Sequence, residues 1–469
     1  VRFLLRVLPL LIAAASGPAM AQEPPTTPET PIELSLDEAV ALAVVRSLDL
    51  QRAGYTVDLQ ALDLREAEAA GDPELSVSGG PTVRLSRGYE TDFFGLPDSL
   101  GGGGPELGVG SEASLGASVG ASLNLPLFDG GARRARRRAA SQALDAARLD
   151  RDRAVEDVVR ETAADYLDVL RGAALVAVED TNLAADRALL DRVRAEYDAG
   201  NRNLGDVLQQ EAAIAQGEQR LATARRNEAV ARLNLRQDLR LPRGTALDLA
   251  PVADAVLDLP ARDLDVDALV ALAFEERDDL DAQSARIEAA RFDVRAARAG
   301  RSPNLSLGGS LGTSYNSLDD NRGAFGQVFD VNPSSSVGLT LSIPILDQGR
   351  TRRAVERAEV FVADADAALD LQRLRVAADV ETAVLDVEAA QARLVAAQRA
   401  VAAAREARAA AEARYGVGAG IFLDVLDARR TLVQAETDVA SARYDLLLGR
   451  IAVAYQTGLL ADALVGLDS

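Results

Sequence analysis

Asp424 and Asp427, in Asp424-Val425-Leu426-Asp427, stand three residues apart and so share one face of any helix that carries them. Two carboxylates at that spacing can collect cations, or can simply favour the start of a helix through its dipole. Asp206-Val207-Leu208 repeats the pattern, and Tyr197-x-x-Gly200 precedes it as Tyr415-x-x-Gly418 precedes Asp424. Little other chemistry is on offer. Cys and His are both absent, which removes thiol nucleophiles, disulfides, imidazole catalysis and the usual zinc sites. There is no Gly-x-x-x-x-Gly-Lys phosphate loop, and the remaining carboxylate pairs read as solvated helix faces. The expectation is a chain that is not an enzyme and uses neither cofactor nor metal.

What positions the two Asp-Val-Leu segments is a duplicated chain. Leu36-Asp37-Glu38-Ala39-Val40-Ala41-Leu42-Ala43 reappears as Val266-Asp267-Ala268-Leu269-Val270-Ala271-Leu272-Ala273, and Asp72-Pro73-Glu74-Leu75 as Ser302-Pro303-Asn304-Leu305. Leu125-Pro126-Leu127-Phe128-Asp129 likewise matches Ile343-Pro344-Ile345-Leu346-Asp347. The spacing between copies shortens after Pro73, and the Gly-rich stretch Gly101 to Gly104 is the natural place for the surplus. Two large homologous halves, not short solenoid units, are the signal.

Each half carries two alternating stretches. Leu75, Val77, Val83 and Leu85 alternate with polar residues, as do Leu115, Ala117, Val119, Ala121, Leu123 and Leu125. In the second half Leu305, Leu307, Leu311 and Tyr315 share a face, and Val337, Leu339, Leu341, Ile343 and Ile345 another. Such alternation suits a tilted transmembrane strand of ~9–11 residues, or else a soluble hairpin with one wet face. The polar segments Gly88 to Glu112 and Asn316 to Ser335 would then be outer loops. Four strands cannot close a barrel, and bilayer hydrocarbon tolerates no open edge, so other copies must complete it. Three copies would supply twelve strands, although this argument does not itself fix three.

The remainder is helical. Thr351 to Tyr415 contains neither Gly nor Pro, and the matching run Arg133 to Ala199 has only Gly172 as a weak point. Such a helix would reach roughly 100 Å. Val376, Val380, Ala383, Val387, Ala390, Leu394, Ala397, Val401 and Ala404 step by four and three, which marks a left-handed coiled-coil seam. Turns at Gly200 and Gly418 lead into returning helices, expected over Asp206–Leu241 and Asp424–Gly458.

Composition agrees with close helix packing: hydrophobic residues are 48% but aromatics only 4%, with no Trp. The formal net charge of -21 disfavours nucleic acid as a partner, and every basic residue is Arg. Arg2 and Arg6, the apolar run Val7 to Ala15 and Ala19-Met20-Ala21 read as a secretory signal. The expected organisation is a signal peptide (1–21), a Pro/Thr linker (22–33), a first repeat (34–241), a connector (242–263), a second repeat (264–460) and a tail (461–469).

The doubled element order, the Leu125-to-Gly131 turn with its copy Ile343 to Gly349, and the Tyr-x-x-Gly…Asp-Val-Leu tips resemble the TolC-like outer-membrane efflux proteins. The likeness runs from about Leu34 to about Leu460. It implies an α+β membrane protein: four strands per chain closing a twelve-stranded β-barrel as a homotrimer, continued by a long α-helical coiled-coil barrel in the periplasm. It also implies contact with outer-membrane lipid, a Gram-negative-type envelope, a periplasmic adaptor and an inner-membrane pump. The strand-to-helix turns would use Pro126, Gly130, Gly131, Pro344 and Gly349. By the same resemblance Asp424 and Asp427 fall where carboxylate rings narrow the periplasmic entrance, and Tyr415 and Asp206 match positions that hold it shut. The family's basic partner is replaced by Gly420, while Arg202 occupies the corresponding place in the first half, so the closing bridge is either moved to Arg202 or absent. Adaptor docking would use the tips, at Gly200, Leu204, Val207 and Leu208 and at Gly418, Phe422, Val425 and Leu426. The competing reading is a structural or adhesive coiled-coil protein of the envelope, which leaves the alternating stretches without a role.

Overall fold

A computed structural model of the protein describes residues 32–90, 108–252, 265–317 and 323–460. The proposed signal peptide, the Gly101 to Gly104 stretch, the tail and most of the linker and connector lie outside the described residues.

Four elements occur twice. A helix capped by a polar side chain opens each half: α1 (Leu36–Arg46), with a Ser35/Glu38 capping box, and α5 (Val266–Glu276), capped by Asp265. The next helices, α2 (Leu48–Ala69) and α6 (Asp278–Arg298), lead to the strands. Beyond the strands run α3 (Ala132–Asp198) and α7 (Arg350–Gly416), each of 67 residues, and then α4 (Leu204–Asp238) and α8 (Phe422–Gln456), each of 35. At 1.5 Å per residue α3 and α7 are about 100 Å long. Gly172 does not interrupt α3. A Cβ there would lie 3.0 Å from Glu228 Cα, so the missing side chain lets α4 approach closely. In α7 the expected seam is buried from Val376 to Ala404 except Ala397, which is half-buried.

The strands β2 (Glu74–Glu90), β3 (Gly108–Phe128), β5 (Asn304–Asn316) and β6 (Ser334–Ser342) form one antiparallel sheet in the order β2-β3-β5-β6. Register follows the pleat: Val77 faces Ala121, Leu123 faces Gly309 and Leu305 faces Leu341 on the apolar side. Ser76–Ser122 and Ser310–Ser336 exchange hydroxyl hydrogen bonds of 2.7 and 2.8 Å on the other. Two expectations change here. Strands enter both segments assigned to outer loops, since β2 continues to Glu90, β3 resumes at Gly108 and β6 begins at Ser334. Residues 324–331 of the second segment form a short helical turn. The last alternating stretch also stops short: Ile343 and Ile345 lie beyond β6, because Pro344 has no N–H to donate and no strand among the described residues flanks that edge.

Midway along the helices, β1 (Ile32–Leu34) pairs in parallel with β4 (Leu247–Leu249), so ordered structure begins inside the proposed linker and connector. The Tyr166 hydroxyl reaches Leu34 O at 3.1 Å and Ala250 O at 2.7 Å. Around it Leu36, Leu167, Leu235, Leu239, Leu447 and Leu460 build the largest apolar cluster, tying both halves together at this level. Among the described residues no helix is long and apolar enough to cross a membrane.

Candidate functional site

The site is the pair of helical tips at the end far from the sheet. Each turn is built alike. Gly200 and Gly418 adopt left-handed φ values of 78° and 73°, a conformation that side chains resist. Gly200 N donates to Tyr197 O and Asn201 N to Glu196 O, and Gly418 N and Ala419 N repeat this to Tyr415 O and Arg414 O. This double bond ends a helix and reverses the chain. The helices then restart differently. Asn203 caps α4 by accepting from Asp206 N at 3.0 Å, whereas α8 has no side-chain cap and exposes Ile421.

Three expected residues meet. The Tyr415 hydroxyl donates to Asp206 Oδ2 at 2.8 Å, joining α7 of the second half to α4 of the first. Arg202 lies over the Tyr415 ring, with Cζ 3.8 Å from its centre, and donates to Tyr415 O at 2.8 Å. Glu196 holds the guanidinium from behind at 2.7 Å and keeps it more firmly charged than usual. Burial, and then the bond to Asp206, raise the Tyr415 hydroxyl above its ordinary value, so it stays a proton donor. Gly420 has no side chain to bring to Tyr415, and Arg202 reaches it from the first tip. A side chain at Gly420 would start 3.2 Å from Arg414 Cβ.

The other expected residues are elsewhere. Asp424 and Asp427 are exposed on α8, and the Asp427 carboxylate pairs with Arg430 of its own helix at 2.9 Å. Val207, Phe422 and Val425, expected at the docking tips, are buried. They pack with Leu189, Leu190, Val193, Ala411 and Tyr415 in an apolar cluster between the two hairpins. Positions 422 and 425 share the inner face of α8, so the outer tip surface instead consists of Leu204 and Leu208 with Val417, Ile421 and Leu423; Leu426 is half-buried. Gly200 and Gly418 lie exposed at the turns themselves. At the opposite ends of α3 and α7, Gly130, Gly131 and Gly349 take left-handed φ, Pro126 sits at a β-bulge, and Pro344 lies past the end of β6. Sequence reading missed Glu196 and Asn203; the Asn-x-x-Asp spacing of a helix cap was the available signal for the latter. No cluster of three or more Asp or Glu among the described residues is arranged to hold a metal ion.

A sheet with one apolar face, continued by long helical hairpins joined at their tips, is the build of a channel-type protein. The chain belongs to the outer membrane efflux protein family, whose profile matches residues 39–239 and 269–458. It is similar to protein CyaE of Bordetella pertussis, 30% identical over 430 residues covering 91% of this chain and 83% of that one. The pyoverdine export outer membrane protein OpmQ of Pseudomonas putida is 28% identical over 426 residues, 89% of this chain and 84% of OpmQ. In fold it resembles the outer membrane protein VceC of Vibrio cholerae, with a TM-score of 0.72 at 21% identity, covering 90% and 96% of the two chains. The protein is thus an outer-membrane efflux or secretion channel, with its helical portion in the periplasm, and its family consists of transport proteins rather than enzymes.

Proposed function

We propose that three copies of this chain form the exit duct of a tripartite efflux or type I secretion system, shut at the periplasmic end by the Arg202–Tyr415–Asp206 clasp. The observation that carries the reading is the hydrogen bond from Tyr415 to Asp206, which fastens one hairpin of the chain to the other where a passage between them would begin. Closure by further copies is supported by the two edges of the sheet, since β2 and β6 each have a single neighbour among the described residues. The Leu204, Leu208, Val417, Ile421 and Leu423 surface is the docking ground for a periplasmic adaptor, which links the duct to an inner-membrane pump. Cargo passes without bond chemistry.

In a trimer Asp424 and Asp427, exposed and on one helix face, form two stacked rings of carboxylates that draw cations into the entrance. Replacing both by Ala is expected to raise single-channel conductance in planar bilayers and to abolish block by divalent cations. Block that persists unchanged in the double variant would remove the two aspartates from the entrance.

A further inference from the structure

Above the clasp, the apolar seams of three helices are interrupted at one level. On α3 the inward stripe runs Asp186, Leu190, Val193; on α4 Val207, Gln210, Ile214; on α8 Phe422, Val425, Arg429, Leu432. Every member but one per helix is apolar, and the three exceptions meet. Arg429 Nε lies 3.0 Å from Asp186 Oδ1, with the two side chains only 12% and 11% exposed. Arg429 also faces Glu412 of α7 at 3.5 Å, and Glu412 in turn faces Arg408 at 3.9 Å. Gln210 is completely buried and donates to Asp186 O at 2.8 Å, while its side-chain oxygen has no hydrogen-bond partner among the described residues. Below it lies the apolar tip cluster between the hairpins; above it Val401, Ala404, Leu432 and Ala435 pack within the second hairpin, and Asn182 of α3 donates to Glu436 of α8 at 3.2 Å. All four long helices of the chain therefore contribute to one polar layer, which sits directly above the apolar tip cluster.

We infer that this Asp186–Gln210–Arg429 layer is a second latch of the entrance, whose polar groups make the seam between the hairpins separable. The inference rests on reading the tips as the closed entrance. Polar groups in a helical seam fix register and stabilise it less than apolar side chains of the same size would. When the hairpins part, water reaches the guanidinium, the carboxylate and the unpartnered Gln210 oxygen, so opening recovers hydration that an apolar layer would not recover. The layer is thus shut by matched partners yet opens more readily than the apolar tip cluster below it. Two kinds of substitution must then act in opposite directions. Removing one partner leaves a buried charge that only water can satisfy, and favours the open duct. Replacing the whole layer by leucine seals it.

The test is single-channel recording of the full chain in planar bilayers, on preparations shown by SDS gels to be assembled trimers. Arg429→Gln and Asp186→Asn are each expected to raise open probability on the order of tenfold. Arg429→Lys, which keeps the charge but cannot span both carboxylates, should give a smaller rise. In Asp186→Asn/Arg429→Gln the rise should be less than the sum of the singles, because no charge is left unmatched. Asp186→Leu/Gln210→Leu/Arg429→Leu should open less often than the unaltered protein. Normal gating in Arg429→Gln, or a leucine layer that opens the duct, overturns the latch. Tyr415→Phe, run alongside, separates the two ideas: if it opens the duct while Arg429→Gln does not, the clasp stands without the latch. If both are silent, the entrance reading falls as well.

Discussion

The two strand-to-helix joints share one backbone and differ in what surrounds them. In the first, Asp129 accepts from Gly131 N and Arg133 N at 3.1 and 2.8 Å; in the second, Asp347 accepts from Gly349 N and Thr351 N at 3.0 and 2.8 Å. Both then enter a 67-residue helix through a left-handed glycine. The Thr351 side chain first, and then the backbone N–H groups of Thr351 and Gly349, hold the Asp347 carboxyl down at about 2. Yet Leu127 and Phe128 beside the first joint are 46% and 50% exposed, whereas their counterparts Ile345 and Leu346 are 93% and 91% exposed. The difference is one of neighbours. The first joint lies against β5 and the end of α6, while Ile345 and Leu346 of the second lie beyond the edge strand β6, where in the proposed trimer another copy would cover them.

Ile345→Asp/Leu346→Asp is therefore the substitution with the largest expected effect. Burying two such side chains contributes about 1.5–3 kcal/mol each at every subunit contact, and a buried unpaired carboxylate adds to the loss. SDS-resistant trimers should vanish while the isolated chain keeps its helix content by circular dichroism. Trimers that survive would mean that the second joint stays open to water in the assembly. Next comes Gly130→Ala. Its Cβ would lie 2.3 Å from Ser302 Cβ, at φ 67°, so the joint must shift, with an expected loss of about 2–4 kcal/mol in thermal or denaturant unfolding. The counterpart Gln348 already carries a side chain at φ 56°, and Gln348→Ala should change stability by less than about 0.5 kcal/mol.

The tips give a smaller contrast. The first tip supplies Arg202, Asn203 and Asp206, and the second supplies Tyr415 and a bare Gly420. Tyr415→Phe removes a bond to a carboxylate worth about 1–2 kcal/mol and should raise conductance. Gly420→Arg should add little, because the arginine already present at Arg202 occupies the face of Tyr415. A large gain of closure from that variant would show the tip to be incompletely bridged.

Much of this was legible in the chain. Alternation located the four strands because one face of the sheet is apolar along its length, and the four-three stepping from Val376 to Ala404 named the buried side of α7. The clasp was legible only through resemblance, since nothing in the spacing of Tyr415, Asp206 and Arg202 says that their helices touch. The burial of Val207, Phe422 and Val425 was not legible, because a short apolar tip does not reveal which side faces the other hairpin. The polar layer was invisible for a related reason: Asp186, Gln210 and Arg429 look like surface residues until three seams are superposed.

The finest difference between the halves is a proton. Asp238, at the end of α4, shares a hydrogen bond with Asp165 of α3, and burial together with that neighbouring carboxyl lifts it to about 7. Asp165 is raised too, by burial first. In the second half the corresponding places hold Gln456, which accepts from Arg277 at 2.9 Å, and Ala383, so the acidic pair has no copy. A carboxyl whose folded value exceeds its unfolded one binds more protons in the folded state. Its pairing is intact below about pH 4 and is progressively lost as the pH rises through about 7. Stability should fall across that window. With Asp238 only half-buried, solvent screening reduces the change to on the order of 1 kcal/mol. Asp238→Asn should flatten the dependence between pH 5 and 8 and raise the melting temperature at pH 8, while Gln456→Glu would introduce a dependence of the other sign by pairing with Arg277. A melting temperature that responds to pH identically in the unaltered protein and in Asp238→Asn would show that the two carboxyls titrate independently of folding.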